Sequence, residues 1–142
     1  FGPNLHFEVR DESDAALDPL SNGYLTTDKV TPIMHKIALI PLSKGALINS
    51  SPLMQTLPLF RNKNGVYLFA DTVSVIGDFG LAIQAIDKRE GSKFKYQFHK
   101  AELYIDNKLM FSLNYNRIPY NQTNNVRTLV QFELKKQSLG EY

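Results

Sequence analysis

The chain of 142 residues contains no cysteine and no tryptophan. Without cysteine it has no disulfides and no thiolate nucleophile or metal ligand, so its redox compartment is undetermined. Its longest apolar stretches, such as residues 37–40, are far shorter than the roughly 20 residues that cross a bilayer, and no membrane-spanning segment is expected. An excess of one charge is also missing, because 16 Lys and Arg are interspersed with 14 Asp and Glu. This balance argues against a nucleic-acid partner.

Short apolar runs separated by turn residues make up most of the chain from residue 32 onward. We predict eight strands, over residues 33–42, 57–60, 66–69, 73–76, 79–86, 101–105, 109–115 and 128–134. Short strands with closely spaced turns are typical of an antiparallel all-β sandwich. The pair Asp106-Asn107 between two alternating runs predicts a two-residue hairpin turn, and residues 118–126 are predicted to be a polar loop.

The beginning of the chain has a different pattern. Residues 5–9 alternate apolar and polar side chains, which predicts a strand with Leu5, Phe7 and Val9 on one face and His6 and Glu8 on the other. Residues 11–31 are rich in Asp, Ser, Asn, Gly and Thr and are predicted to be a linker.

Residues 2–10 resemble the closing strand motif of the lysostaphin/LytM-type zinc metallopeptidases, Gly-x-His-Leu-His-Phe-Glu followed by an apolar residue and Arg. These enzymes cut the peptide cross-links of peptidoglycan. By position, His6 matches the family's zinc-ligating histidine, whereas Asn4 occupies the place of its catalytic histidine. Because an asparagine cannot act as a general acid or base at neutral pH, the parent protein is expected to be weakly active or a pseudoenzyme.

The family's other two zinc ligands, a His and an Asp four residues apart, have no match in this chain. His35 and His99 are followed four residues later by Leu39 and Leu103. The resemblance therefore implies no catalytic residue and no cofactor in this chain. It implies zinc only in an intact parent, with His6 as one ligand.

The resemblance extends beyond the motif. Residues 18–24 are similar to the tail of this catalytic domain in proteins of the Bacteroidetes type, and residues 32–134 resemble the C-terminal β-sandwich that often follows it. We therefore expect residues 1–24 to be the C-terminal remnant of a peptidase domain, 25–31 a linker, 32–137 an immunoglobulin-like β-sandwich and 138–142 a tail. The expected fold is all-β, an immunoglobulin-like antiparallel sandwich preceded by the last strand of a peptidase domain.

These expectations define a function and two alternatives. The chain is expected to be an accessory binding or positioning module of a murein-peptidase-like protein in the periplasm or cell envelope, without catalysis of its own. Its expected partners are its own upstream peptidase domain and peptidoglycan or envelope proteins. The alternatives are a fragment of an active zinc endopeptidase and a structural subunit of an envelope assembly.

Other polar and aromatic residues are assigned to structure. His35 and His99 are predicted to be surface residues, and Glu8 a solvated residue that could alternatively orient His6. The acidic residues between 11 and 18 lack the spacing of a calcium loop, and Gly77 to Gly80 is interpreted as a turn. The aromatic residues of the alternating runs are predicted to lie in the sandwich core rather than to stack on a ligand; they are Tyr104, Phe111 and Tyr115.

Overall fold

The computed structural model describes residues 5–24, 28–131 and 134. This part of the chain is mostly β, with 41% strand and 8% helix, which confirms the all-β prediction. The strands are β1 (Val9–Arg10), β2 (Ala16–Leu17), β3 (Ile33–Pro41), β4 (Leu47–Ile48), β5 (Gln55–Pro58), β6 (Phe60–Arg61), β7 (Tyr67–Leu68), β8 (Val75–Ile76), β9 (Phe79–Ile86), β10 (Lys100–Ile105), β11 (Lys108–Asn114) and β12 (Arg117–Ile118). A 3-10 helix follows at Tyr120–Leu129.

The longest strands form an antiparallel sheet of order β5–β3–β9. In its central strand, β3, three successive residues are buried: Ile37, Ala38 and Leu39. Because successive side chains of a strand point to opposite faces, this burial means that both faces of β3 are covered. Ala38 packs against Leu134, which is itself fully buried. This contact forms the centre of the described core.

A second sheet joins the first strands of the described chain to Arg117–Ile118. Its order is β1–β2–β12, with β2 in the middle. Leu17 is the register partner of both Val9 and Arg117, and Ala16 pairs with Arg10 and Ile118. Residues 11–31 were predicted to be a linker, and that prediction is wrong at β2. The strand was missed because two residues are too few to show period-two alternation.

The β10–β11 hairpin confirms the predicted two-residue turn. Asp106 and Asn107 have φ values of 50° and 62°, and two successive positive φ angles match the twist of a tight hairpin. The prediction that Tyr104 and Phe111 lie in a core is wrong, because they are 54% and 46% exposed. β10 and β11 form a sheet of their own, and alternation alone does not establish that another layer covers its apolar face.

The C-terminal predictions require a correction. The polar loop over residues 118–126 and the strand over 128–134 are replaced, as far as the chain is described, by the 3-10 helix that ends at Leu129. The Thr123 hydroxyl donates to the carbonyl of Tyr120 at 2.9 Å, and the Thr128 hydroxyl to that of Asn125 at 2.6 Å. Hydroxyl bonds to a carbonyl three residues earlier fit the i to i+3 pattern of a 3-10 turn.

The first predicted strand is also shorter than expected. Residues 5–8 are outside any strand, and pairing begins at Val9. Of the other predicted strands, the one at Phe79–Ile86 has the predicted bounds and the one at Ile33–Pro41 differs by one residue. Among the described residues no helix is both long and apolar enough to cross a bilayer.

Candidate functional site

The predicted zinc ligand lies at the surface. The His6 side chain is 78% exposed, and its Nε2 lies 2.5 Å from Oε1 of Glu8. Arg10 Nε donates to the other oxygen, Oε2, at 2.6 Å. These two hydrogen bonds, that of His6 first, lower the pKa of the Glu8 carboxyl below its usual value. Glu8 therefore contacts His6 directly.

No metal centre surrounds this histidine among the residues that the structure describes, where no group of three or more His, Cys, Asp or Glu could hold an ion. Asn4, the predicted replacement of the catalytic histidine, lies outside the described residues. The polar groups of the motif that the structure describes are thus the exposed imidazole of His6, the carboxylate of Glu8 and the guanidinium of Arg10. Zinc ligation by His6 in an intact parent stays a prediction.

The acidic stretch after β1 is an ordered turn. Asp11 Oδ1 accepts hydrogen bonds from the Ser13 backbone N–H at 2.9 Å, the Ser13 hydroxyl at 2.8 Å and the Ala15 N–H at 3.0 Å. Arg117, on β12, donates through Nε to Asp11 Oδ2 at 2.7 Å and through Nη2 to the Ser13 hydroxyl at 2.6 Å. The Ser13, Ala15 and Arg117 hydrogen bonds hold the pKa of the Asp11 carboxyl well below its usual value. Side chains therefore reinforce the β1–β2–β12 sheet at one end.

A second contact links Arg10 of β1 to Tyr120 of the 3-10 helix. The Arg10 guanidinium carbon is 5.8 Å from the centre of the Tyr120 ring, in cation–π range. Arg10 also donates to the Asp14 carbonyl at 2.9 Å. Strand β1 is therefore in contact with the 3-10 helix through Arg10, and Asp11, which follows β1, is in contact with β12.

A cleft of about 440 Å³ lies beside β2. One wall is β2 with the turn after it, together with Ile118 of β12; the other is the segment between β9 and β10. Asp87 and Tyr96 exchange two backbone hydrogen bonds, of 2.8 and 2.9 Å, which close this segment into a loop. The side chains around the cleft combine apolar, aromatic and charged groups; its lining residues are Ala16, Leu17, Asp18, Pro19, Leu20, Asp28, Asp87, Arg89, Tyr96, Gln97, Phe98, His99, Tyr115 and Ile118.

Asp18 is fixed at the end of β2 by the turn that follows. Its side chain is 14% exposed, its Oδ1 accepts the Leu20 N–H at 3.1 Å, and its Oδ2 accepts the Ser21 N–H at 3.0 Å and the Ser21 hydroxyl at 2.5 Å. Burial raises the pKa of this carboxyl, but the hydrogen bonds and the nearby His99 outweigh it, so the net pKa is lowered. Asp18 is thus a charged carboxylate in the cleft wall.

His99 and Tyr115 are oriented by neighbouring side chains. Nε2 of His99 lies 2.5 Å from Oδ1 of Asn116, and since an amide oxygen only accepts, Nε2 carries the hydrogen. Nδ1 then faces Asp18 Oδ2 at 3.8 Å. Gln97 Nε2 donates to the Tyr115 hydroxyl at 3.1 Å, and burial raises the pKa of Tyr115 above its usual value. His99 is exposed, as predicted.

Sequence reasoning missed this cleft because its walls come from three distant segments. Asp18 was assigned to the linker over residues 11–31, and His99 was predicted to be a surface residue without a role. A partial signal was present in residues 96–99, which alternate aromatic and polar types next to a charged segment, but nothing in that pattern pairs them with β2.

Comparisons with protein-family models, with curated proteins and with solved structures found no match to this chain.

Proposed function

We propose that this chain is a non-catalytic binding and positioning module of a cell-envelope protein that resembles murein peptidases, with an immunoglobulin-like sandwich behind the last strand of a peptidase domain. One observation carries the proposal. The strand at the end of the His6 motif, β1, is joined through β2 to β12, a segment distant in sequence. The last two residues of the motif, Val9 and Arg10, are held by this pairing, and Arg10 is hydrogen-bonded to Glu8, which contacts His6. Positioning requires such a constant orientation to the rest of the module.

Side-chain contacts support the same conclusion. Arg117 is 106 residues from Asp11 in sequence, yet the two form an ion pair and share Ser13 as a neighbour. Backbone pairing together with such contacts makes independent movement of β1 costly, because both would have to break. In this proposal residues 1–24 and 32–137 act as one unit, although they derive from different domains.

The absence of catalysis by this chain is tested on peptidoglycan itself. A catalytic zinc site needs about three protein ligands, and His6 is the one residue that the family motif assigns to the metal here. We expect purified residues 1–142 to sediment with insoluble peptidoglycan and to release no soluble peptides with added zinc. Hydrolysis would contradict the proposal and favour an active endopeptidase. Failure to sediment would contradict the binding function and favour a structural subunit.

The positioning function is tested by amide hydrogen exchange. In the wild type we expect slow exchange at the paired residues of β1 and β2. Arg117→Gln removes the ion pair with Asp11 and should accelerate exchange in β1 more than in β3. Arg61→Gln is the matched control, because Arg61 lies over the Tyr67 ring in a different hairpin. Equal effects of the two variants on β1, or rapid exchange of β1 in the wild type, would contradict the positioning function.

A further inference from the structure

We propose that the cleft beside β2 binds a small organic ammonium ion, that is, a protonated amine carried on an apolar body. The inference rests on the cleft alone and is independent of the proposed function. A volume of about 440 Å³ falls within the range of small-molecule sites, which are mostly apolar with a few placed polar groups. The two parts of such a ligand correspond to two groups of lining residues.

The apolar body of the ligand would contact aliphatic side chains of β2 and β12 and the aromatic side chains of the cleft. Leu17 and Ile118 lie on paired strands and are half-buried. Phe98 and Tyr115 are also half-buried, whereas Tyr96 is exposed near the rim. A ligand body placed here would remove apolar surface from water on both sides.

The positive charge is matched by the acidic residues. Asp18, Asp28 and Asp87 line the cleft against a single guanidinium, that of Arg89. The three carboxylates and Arg89 give the lining a formal charge of −2, or −1 when His99 is protonated, and in both cases it attracts cations and repels anions. Aromatic faces add to this preference because their quadrupoles also favour cations. A bare metal ion is a poorer fit, since no three acidic or histidine side chains of the described chain converge on one point.

Two of the carboxylates can contact the ligand directly. Asp87 Oδ1 accepts the Lys88 N–H at 2.8 Å, and Asp28 Oδ1 accepts the Val30 N–H at 2.9 Å. A carboxylate has about four acceptor sites, so accepting a backbone N–H leaves room for an ammonium group as well. Asp18 accepts three hydrogen bonds from its own turn and contributes mainly through its charge.

The probe for this site is 2-phenylethylammonium, compared with the neutral 2-phenylethanol and the anionic 3-phenylpropionate. Each is titrated into the full chain while backbone amide NMR shifts are recorded. For so small a ligand we expect a dissociation constant on the order of a millimolar, with shifts concentrated in residues 16–20 and 96–99. The alcohol should bind about tenfold more weakly because it lacks the charge, and the carboxylate should not bind.

Variants that remove either a negative or a positive charge from the cleft provide a second test. Asp87→Asn keeps the acceptor for the Lys88 N–H but removes the charge, and should weaken binding of 2-phenylethylammonium about three- to fivefold, the effect of an exposed ion pair. Asp28→Asn should act similarly. Arg89→Gln should strengthen binding, whereas Asp71→Asn, in an exposed loop outside the cleft, should leave it unchanged. Equal or tighter binding of the alcohol or the carboxylate would overturn the proposal. So would shifts centred elsewhere, or weaker binding in Arg89→Gln.

Discussion

Replacing Ile48 by alanine should destabilise the protein about three times as much as the same replacement at Ile76. Both residues belong to the small β4–β8 sheet, where Ile48 pairs with Val75 and Ile76 with Leu47. Their environments differ, because Ile48 is 1% exposed and Ile76 is 60% exposed. The comparison therefore isolates burial from strand pairing and from the chemistry of the substitution.

The expected magnitudes follow from the carbon atoms that are removed. Ile→Ala deletes three carbons, and at about 0.8 kcal/mol for each buried group the transfer loss at Ile48 is about 2.4 kcal/mol. The cavity left in a closely packed site increases this to about 3–4 kcal/mol. At Ile76 about two fifths of the transfer loss applies, which gives about 1 kcal/mol.

Urea denaturation monitored by far-ultraviolet circular dichroism measures both changes. With a slope of about 1.5 kcal/mol per molar urea, the unfolding midpoint should fall by about 2–2.7 M for Ile48→Ala and by about 0.7 M for Ile76→Ala. Equal shifts would refute the reasoning, because they would mean that Ile48 is not enclosed. A changed slope would show that the substitution altered the compactness of a state rather than the stability alone.

Three further predictions concern local structure. The pKa of Asp11 is lowered in the folded protein, so the ionised carboxylate stabilises the fold fully above its ordinary pKa of 3.8, and this stabilisation is lost as the pH falls below that value. Carboxyl NMR should detect a higher Asp11 pKa in Arg117→Gln, and an unchanged pKa would contradict the ion pair. Asn107→Gly should slightly raise the thermal midpoint, and Asn107→Val should lower it because a β-branched residue at φ 62° costs about 1–2 kcal/mol of stability; the opposite order would count against the turn. Gly77→Ala should cost about 2 kcal/mol in urea unfolding, since φ is 75° and a Cβ would lie 3.1 Å from the Ala46 Cα; a neutral effect would show that this backbone can relax.

The sequence predicted those parts of the fold that depend on local patterns. Residues 79–86 form a strand with the predicted bounds because eight residues are enough for the pattern and its flanking turns to be recognised. The turn at Asp106 and Asn107 was predictable because these residue types tolerate positive φ, which such a turn requires. These features were confirmed, as was the all-β class.

Long-range features were not predictable in the same way. Strands β2, β4 and β12 have two residues each and carry no periodic signal, so their existence depends on a partner distant in sequence. Alternation in β10 and β11 showed which side chains share a face, but it did not show whether another layer covers that face. Tyr104 and Phe111 are exposed for this reason.

The same division applies to the candidate sites. Sequence alone singled out His6 and Asn4 through a local motif, and that resemblance remains the basis for expecting a peptidase-like parent. The cleft depends on tertiary structure, because it forms only where β2, the loop before β10 and β12 meet. Asp18 and His99 are 81 positions apart in sequence, yet their side chains lie 3.8 Å apart in its lining. Local patterns determine which strands and turns can form, whereas pairing between distant segments decides which side chains share a site.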